Sequence, residues 1–179
     1  MVVLAGASAS GKTEVAKLLA KKYGITKVIT TTTRPTRHGE INGQDYFFIS
    51  KEEFEEKIHR GDFVEYTLYN GYMYGSTKDQ IASNKCVVID PAGLRSYIAL
   101  NDRNIVTFYL EADEKTRRER MVSRGDEPDK IESRILHDRV AFKKENIAKV
   151  DFLIDSSNVH TVEEVCDLIY QLYTQKLNA

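Results

Sequence analysis

The sequence predicts an α/β fold: a parallel sheet covered by helices on both faces. Three observations carry this prediction. Short apolar runs rich in β-branched residues alternate with stretches that repeat apolar residues every three to four positions. The runs are apolar throughout rather than alternating, as strands buried on both faces require. The first run ends in a glycine-containing stretch that opens a helix. One region, from about residue 31 to 83, breaks the rhythm and reads as an inserted unit of mixed sheet and helix.

The elements follow in order. Val2 to Ala5 is a buried strand ending at Gly6. A helix carries Val15, Leu18, Leu19 and Tyr23 on one face and stops at Gly24. Lys27 to Thr33 reads as a second strand running into a loop, and Tyr46 to Ile49 as a short third. Ser50 and Glu53 form a capping box, opening a helix that points Phe54 and Ile58 inward. Asn70-Gly71 between Asp62–Tyr69 and Tyr72–Tyr74 is a hairpin signal. Cys86 to Asp90 is an apolar strand, and Pro91 starts a helix after it. Ile105 to Leu110 is another strand. Helices over Asp113–Arg124 and about Asp129–Ala148 follow. Asp151 to Ile154 is the last strand. Thr161 and Glu164 cap a final helix whose inward face is Val162, Val165, Cys166, Ile169 and Leu172.

Composition bounds the class of partner. A chain of 179 residues is one domain at roughly 150 residues per domain. Lys plus Arg total 26 and Asp plus Glu 27, a net charge of −1, which argues against a nucleic-acid polymer as ligand. Cys86 and Cys166 both fall in apolar patterns, which argues against a disulfide framework and fits a reducing compartment. His38, His59, His137 and His160 show no metal-ligand spacing. Nothing approaches an 18-residue apolar run, so no membrane span is expected and the cytoplasm is the default. A homo-oligomer is neither indicated nor excluded.

Gly6-Ala7-Ser8-Ala9-Ser10-Gly11-Lys12-Thr13 matches G-x-x-x-x-G-K-[ST] in full, after a predicted strand and into a predicted helix. Small residues let backbone N–H groups approach phosphate oxygens, and the helix N-terminus adds free donors and its dipole. Lys12 suits the β- and γ-phosphates, and the Thr13 hydroxyl suits Mg²⁺. Nucleoside triphosphate binding follows, but a phosphate loop alone names no reaction. A GTPase needs a guanine-reading N-K-x-D, and the nearest run, Asn84-Lys85-Cys86-Val87, lacks the Asp. Asp90-Pro91-Ala92-Gly93 imitates D-x-x-G only as a strand-end carboxylate before a helix-starting Pro.

A second constellation lies in the inserted region. Arg34 and Arg37, three apart on a Pro/Gly loop, can converge on one anion. Glu65 lies on a strand, and Tyr74-Gly75-Ser76 follow the hairpin. A carboxylate can accept the two adjacent N–H donors that guanine presents and adenine lacks. These stretches, T-T-R-x-x-R-x-G-E-x-x-G-x-D-Y-x-F, then G-D-F-V-E-Y, then Y-G-S-T, are similar to the signature of the guanylate kinases, in that order and over nearly the whole chain.

The resemblance implies a P-loop NTPase-type core with a mixed α+β monophosphate-binding insertion and a helical lid. It implies one domain over 1–179: core 1–30, 84–123 and 135–179, insertion about 31–83, lid about 124–134. Arg34, Arg37, Tyr46 and Tyr74 become the clamp on the GMP phosphate, Glu65, Ser76 and Thr30 the guanine readers, and Asp90 a strand-end carboxylate near the acceptor base. Arg117, Arg120 and Arg124 share a helical stripe with Lys115 and Arg118 beside it, which on pattern alone is a solvated face. The resemblance instead makes Arg120, Arg124 and Arg134 lid arginines that approach the transferring phosphoryl group, and leaves Arg117, Arg118 and Arg139 solvated. Val88 stands where the family carries the first Asp of D-x-D, Ala7 and Ala9 where it carries Pro and Gly, and Asp155 where it carries the Asn near the adenine.

The expected activity is ATP + GMP ⇌ ADP + GDP with Mg²⁺, with dGMP as a further acceptor. Two alternatives stand beside it. One is a kinase for another nucleoside monophosphate or small phosphorylated acceptor. The other is a non-catalytic binding module of guanylate-kinase type.

Overall fold

The computed structural model describes residues 1–143, 147–157 and 161–179. The chain runs β1 (Val2–Ala5), α1 (Lys12–Tyr23), β2 (Thr26–Lys27), β3 (Thr31–Thr32), β4 (Phe47–Phe48), α2 (Lys51–His59), β5 (Phe63–Tyr69), β6 (Tyr72–Thr77), β7 (Lys85–Ile89), α3 (Pro91–Ala99), β8 (Val106–Glu111), α4 (Glu114–Ser123), α5 (Pro128–Ala141), β9 (Phe152–Asp155) and α6 (Val162–Leu177). A single 3-10 turn, Lys78–Gln80, follows β6.

A five-stranded sheet of order β2-β7-β1-β8-β9 forms the core, with every pairing parallel. Strand β1 is central and wholly buried, and its residues alternate between two apolar layers. Val2 and Leu4 pack with Leu19 of α1 and Ile169 of α6, and Val3 and Ala5 pack with Leu94 and Tyr97 of α3. Both faces are therefore covered, as the unbroken apolar runs required. The loop after β1 opens at the C-terminal edge of the central strand, where sheets of this kind bind ligands.

The second sheet has order β4-β3-β6-β5 and is mixed, with β3 parallel to β4 and antiparallel to β6. Asn70 and Gly71 have φ of 49° and 79°, the pair of positive values that a tight primed turn needs. The Ser50–Glu53 and Thr161–Glu164 capping boxes both form.

Four boundaries differ from the sequence expectation. The strand expected over Tyr72–Tyr74 runs on to Thr77, which places Ser76 within it. Lys27–Thr33 is not one strand but two in different sheets. Val28 still donates to Cys86 O, whereas Thr31 and Thr32 pair with Gly75 and Tyr74. The β-branched run is continuous because the chain crosses directly from one sheet to the other. The strand over Tyr46–Ile49 is reduced to Phe47–Phe48, between the flanking bonds Gly43 N–H to Tyr46 O and Ile49 N–H to Thr32 O. The helix expected to reach about Ala148 ends at Ala141. Phe142 leaves the helix and sets its ring 6.2 Å from that of Tyr109 beneath the sheet. Residues 144–146 of that expected helix, and His160, lie outside the described residues.

Candidate active site

The phosphate loop is built by close approach. At Gly6 (φ 150°) an added Cβ would lie 2.4 Å from Leu110 O and 2.8 Å from Ser10 Oγ, so only glycine fits. Ala9 sits at φ 61°, the left-handed region where a side chain is strained. Gly11, at φ 95°, is the N-cap of α1 and offers no side-chain cap, which leaves the first N–H groups of the helix open to an anion. Lys12 Nζ turns back on the loop, donating to Gly6 O at 2.6 Å, Ala7 O at 2.7 Å and Ser10 Oγ at 3.3 Å. Burial pulls its pKa down to about 8, against the opposing pull of Asp138. Thr13 is exposed in the first turn of α1.

The loop is braced from behind. The Ser8 N–H donates to Asp138 Oδ2 at 2.8 Å, and the same oxygen accepts from Arg117 Nη1 at 2.9 Å. Arg117 Nη1 also lies 3.4 Å from Ser8 O. Arg117 and Asp138 are 7% and 5% exposed, so the expectation of a solvated Arg117 is corrected. Its partner comes from another helix, which a stripe on α4 alone does not reveal. Arg118 and Arg139 do lie on the surface, on Glu114 and Glu132. Arg120 donates to Ala9 O at 3.2 Å and Ser156 O at 2.5 Å, so here it braces the loop. The buried Ser156 hydroxyl reaches Ser10 O at 2.8 Å and Glu111 O at 2.9 Å.

Sequence reasoning missed Asp138 and Ser156. A signal existed for Asp138. Ile131, Ile135 and Asp138 share one buried face of α5, and an acid in that row needs a partner.

A cleft of about 770 Å³ runs from the phosphate loop to the second sheet, and Lys12, Thr30, Glu65, Tyr74, Ser76 and Asp90 all line it. Glu65 and Ser76 are cross-strand partners on β5 and β6. Burial raises the Glu65 carboxyl above its ordinary value; hydrogen bonding to Ser76 opposes this and the charge of Asp90 adds to it. Asp90 Oδ1 caps α3 by accepting from Gly93 N–H at 2.8 Å. Tyr97, fully buried beside Ser76, has its hydroxyl pKa pushed up to about 12 by burial.

Arg34, Arg37 and Tyr46 adjoin this cleft without lining it. Arg34 is 8% exposed and donates to Glu40 Oε1 at 2.6 Å and Pro35 O at 2.8 Å. Its guanidinium stacks 5.3 Å from the Tyr46 ring and 5.5 Å from that of Phe48. The Tyr46 and Tyr74 rings meet edge to face at 6.2 Å, which joins the arginine to the cleft wall. Arg37 is exposed, and its backbone N–H donates to Glu40 Oε2 at 2.7 Å. Glu40 therefore stands as an anion between the Arg34 guanidinium and the Arg37 backbone amide.

Arg124 and Arg134 meet at a different carboxylate. Both donate to Asp126 Oδ2, at 2.5 and 3.1 Å. Both are half-exposed and neither lines the cleft. Asp126, in the loop between α4 and α5, thus holds both cations outside the cleft.

Comparison with known proteins adds the family. The guanylate kinase family model matches residues 1–172. A guanylate kinase of Clostridium tetani is 32% identical over 177 residues, covering 94% of this chain and 84% of that protein. A guanylate kinase of Wolinella succinogenes is 34% identical over 177 residues, covering 92% and 80%. A crystal structure of guanylate kinase from Anaplasma phagocytophilum superposes with a TM-score of 0.65 at 22% identity, covering 99% of this chain and 85% of that one.

Proposed function

The chain belongs to the guanylate kinase family, and from that membership we propose how its residues carry out the reaction, the transfer of a phosphoryl group from ATP to GMP. The observation that carries the assignment is one cleft with a complete phosphate loop at one end and a half-buried carboxylate beside a serine at the other. The first end suits a triphosphate. The second suits a base with adjacent N–H donors.

Phosphoryl transfer needs little covalent help from the protein, so alignment and charge neutralisation are its work. The backbone N–H groups from Ala7 to Thr13 cradle the ATP phosphates, and Lys12 leaves Gly6 O and Ala7 O to meet the β- and γ-phosphates. Glu65 and Ser76, with Thr30, read guanine. Asp90 stays at the cleft edge near the acceptor base. Arg34 and Arg37 exchange Glu40 for the GMP phosphate, and Tyr46 and Tyr74 frame it. Arg124 and Arg134 leave Asp126 for the transferring group, and Arg120 holds Ala9 in place behind it. The core is 1–30, 84–123 and 135–179, the acceptor insertion about 31–83 and the lid about 124–134, and closure of the last two excludes water.

Mg²⁺ fits the donor set. Among the described residues no three His, Cys, Asp or Glu side chains gather as a metal site. Mg²⁺ keeps water and phosphate ligands and needs only one or two protein oxygens, which the exposed Thr13 hydroxyl supplies. When bound it neutralises phosphate charge. No helix among the described residues is long and apolar enough to cross a membrane. Two buried free cysteines agree with a cytoplasmic setting.

The test is ADP release from ATP with each nucleoside monophosphate in turn. GMP should support turnover and dGMP should follow it. Equal rates with AMP would overturn the role given to Glu65.

A further inference from the structure

We propose that Arg117 and Asp138 are positioning residues for phosphoryl transfer, a buried ion pair that registers both lid helices on the phosphate loop. This rests on the reading of that loop as the ATP site. Three segments distant in sequence meet at one oxygen. Asp138 Oδ2, from α5, accepts the Ser8 amide at 2.8 Å and Arg117 Nη1, from α4, at 2.9 Å. Arg117 adds a contact to Ser8 O at 3.4 Å. Ser8 is thus held through both its amide and its carbonyl, beside the strained Ala9.

The helix geometry makes this anchor relevant to chemistry. On α4, Arg117, Arg120 and Arg124 fall at i, i+3 and i+7 on one side. On α5, Arg134 precedes Asp138 by four residues. At about 1.5 Å of rise per residue, the anchors lie roughly 10 Å from Arg124 and 6 Å from Arg134 along their helices. Met121, Ile131 and Ile135 pack the two helices together with Ala9 against them. A shift of either helix at its anchor is carried through a stiff rod to the arginine it bears. The pair is not the best solution for stability alone. Arg117 Nε is buried with no acceptor, and apolar residues of similar volume commonly replace a buried ion pair without loss. Asp138 also lines the cleft, where its charge favours the protonated form of the buried Lys12 and that of Arg117 opposes it.

The test separates support of the fold from positioning. Arg117→Met and Asp138→Ala each leave an unpaired buried charge, and both should lower the melting temperature. The double variant Arg117→Met/Asp138→Ala removes both charges and should recover it. Its kcat should nevertheless stay about ten- to hundredfold below the parent, because the arginines are no longer registered on the loop. Its GMP KM should remain within about twofold of the parent, because the acceptor site is untouched. A double variant with both melting temperature and kcat restored overturns the proposal. If the double variant does not fold, Asp138→Asn, which keeps an acceptor for the Ser8 amide, should retain more kcat than Asp138→Ala. Equal kcat in those two would also overturn it. Failure of the underlying reading looks different: the parent protein itself would release no ADP from ATP and GMP.

Discussion

Replacing Glu65 by Gln tests the role proposed for it as the base reader. The amide keeps the shape but loses the charge and presents an NH₂ group where guanine presents its own donors. Hydrogen bonds to a charged group contribute about 1.5–3 kcal/mol. The surroundings set where in that range the loss falls. Asp90 repels the Glu65 carboxylate, and burial already disfavours its charged form, so Gln relieves both. We therefore expect about 1.5–2 kcal/mol, a rise of about ten- to thirtyfold in GMP KM. The sign for stability is opposite. A carboxyl whose folded pKa lies above its unfolded value makes the fold less stable once it ionises, above both values. At neutral pH Glu65→Gln should therefore melt no lower than the parent. The same raised pKa predicts that the parent's GMP KM rises as pH falls through a value above the ordinary carboxylate range. Initial-rate kinetics with GMP and AMP, beside a thermal melt, decide the matter. Equal effects on both acceptors, or a KM rise accompanied by loss of fold, would refute the assignment.

Four other outcomes follow from the same structure. Lys12→Ala should nearly abolish turnover. In the parent, kcat/KM for ATP should fall as pH rises through about 8, where the buried Lys12 loses its proton, with no such limb for GMP. Gly6→Ala should lower stability by at least about 2 kcal/mol in a denaturant titration, because the Cβ would meet backbone at 2.4 Å. Arg124→Ala and Arg134→Ala should each lower kcat by about a hundredfold or more with little change in melting temperature, because both side chains are half-exposed and screened.

Much of this molecule is written locally and could be read without the fold. The G-x-x-x-x-G-K-T run, both capping boxes and the Asn-Gly turn each fix a backbone conformation through a few adjacent residues, and each forms as expected. What could not be read depends on partners far away in the chain. Val28–Thr33 is uniformly β-branched, so nothing local marks where its hydrogen bonds change from Cys86 to Gly75 and Tyr74. Arg117 belongs to a run in which Lys115 to Arg124 carries five basic residues against Glu119, and a charge on a helix looks the same whether water or Asp138 meets it. The helix ends at Ala141 with no Gly or Pro beside it to mark the end, and Phe142 packs instead against the distant Tyr109 ring. The candidate acceptor residues were legible as an ordered pattern. Their present partners, Glu40 for Arg34 and Asp126 for Arg124 and Arg134, appear only in the fold.

The central claim is that one cleft aligns ATP with a guanine-bearing acceptor. A coupled assay of ADP release, with ATP held constant and GMP, AMP, CMP and UMP supplied separately, tests it most directly. GMP should give a rate far above the hydrolysis background, and the other three should not. ADP release that ignores the acceptor, or that is as fast with AMP as with GMP, would contradict it.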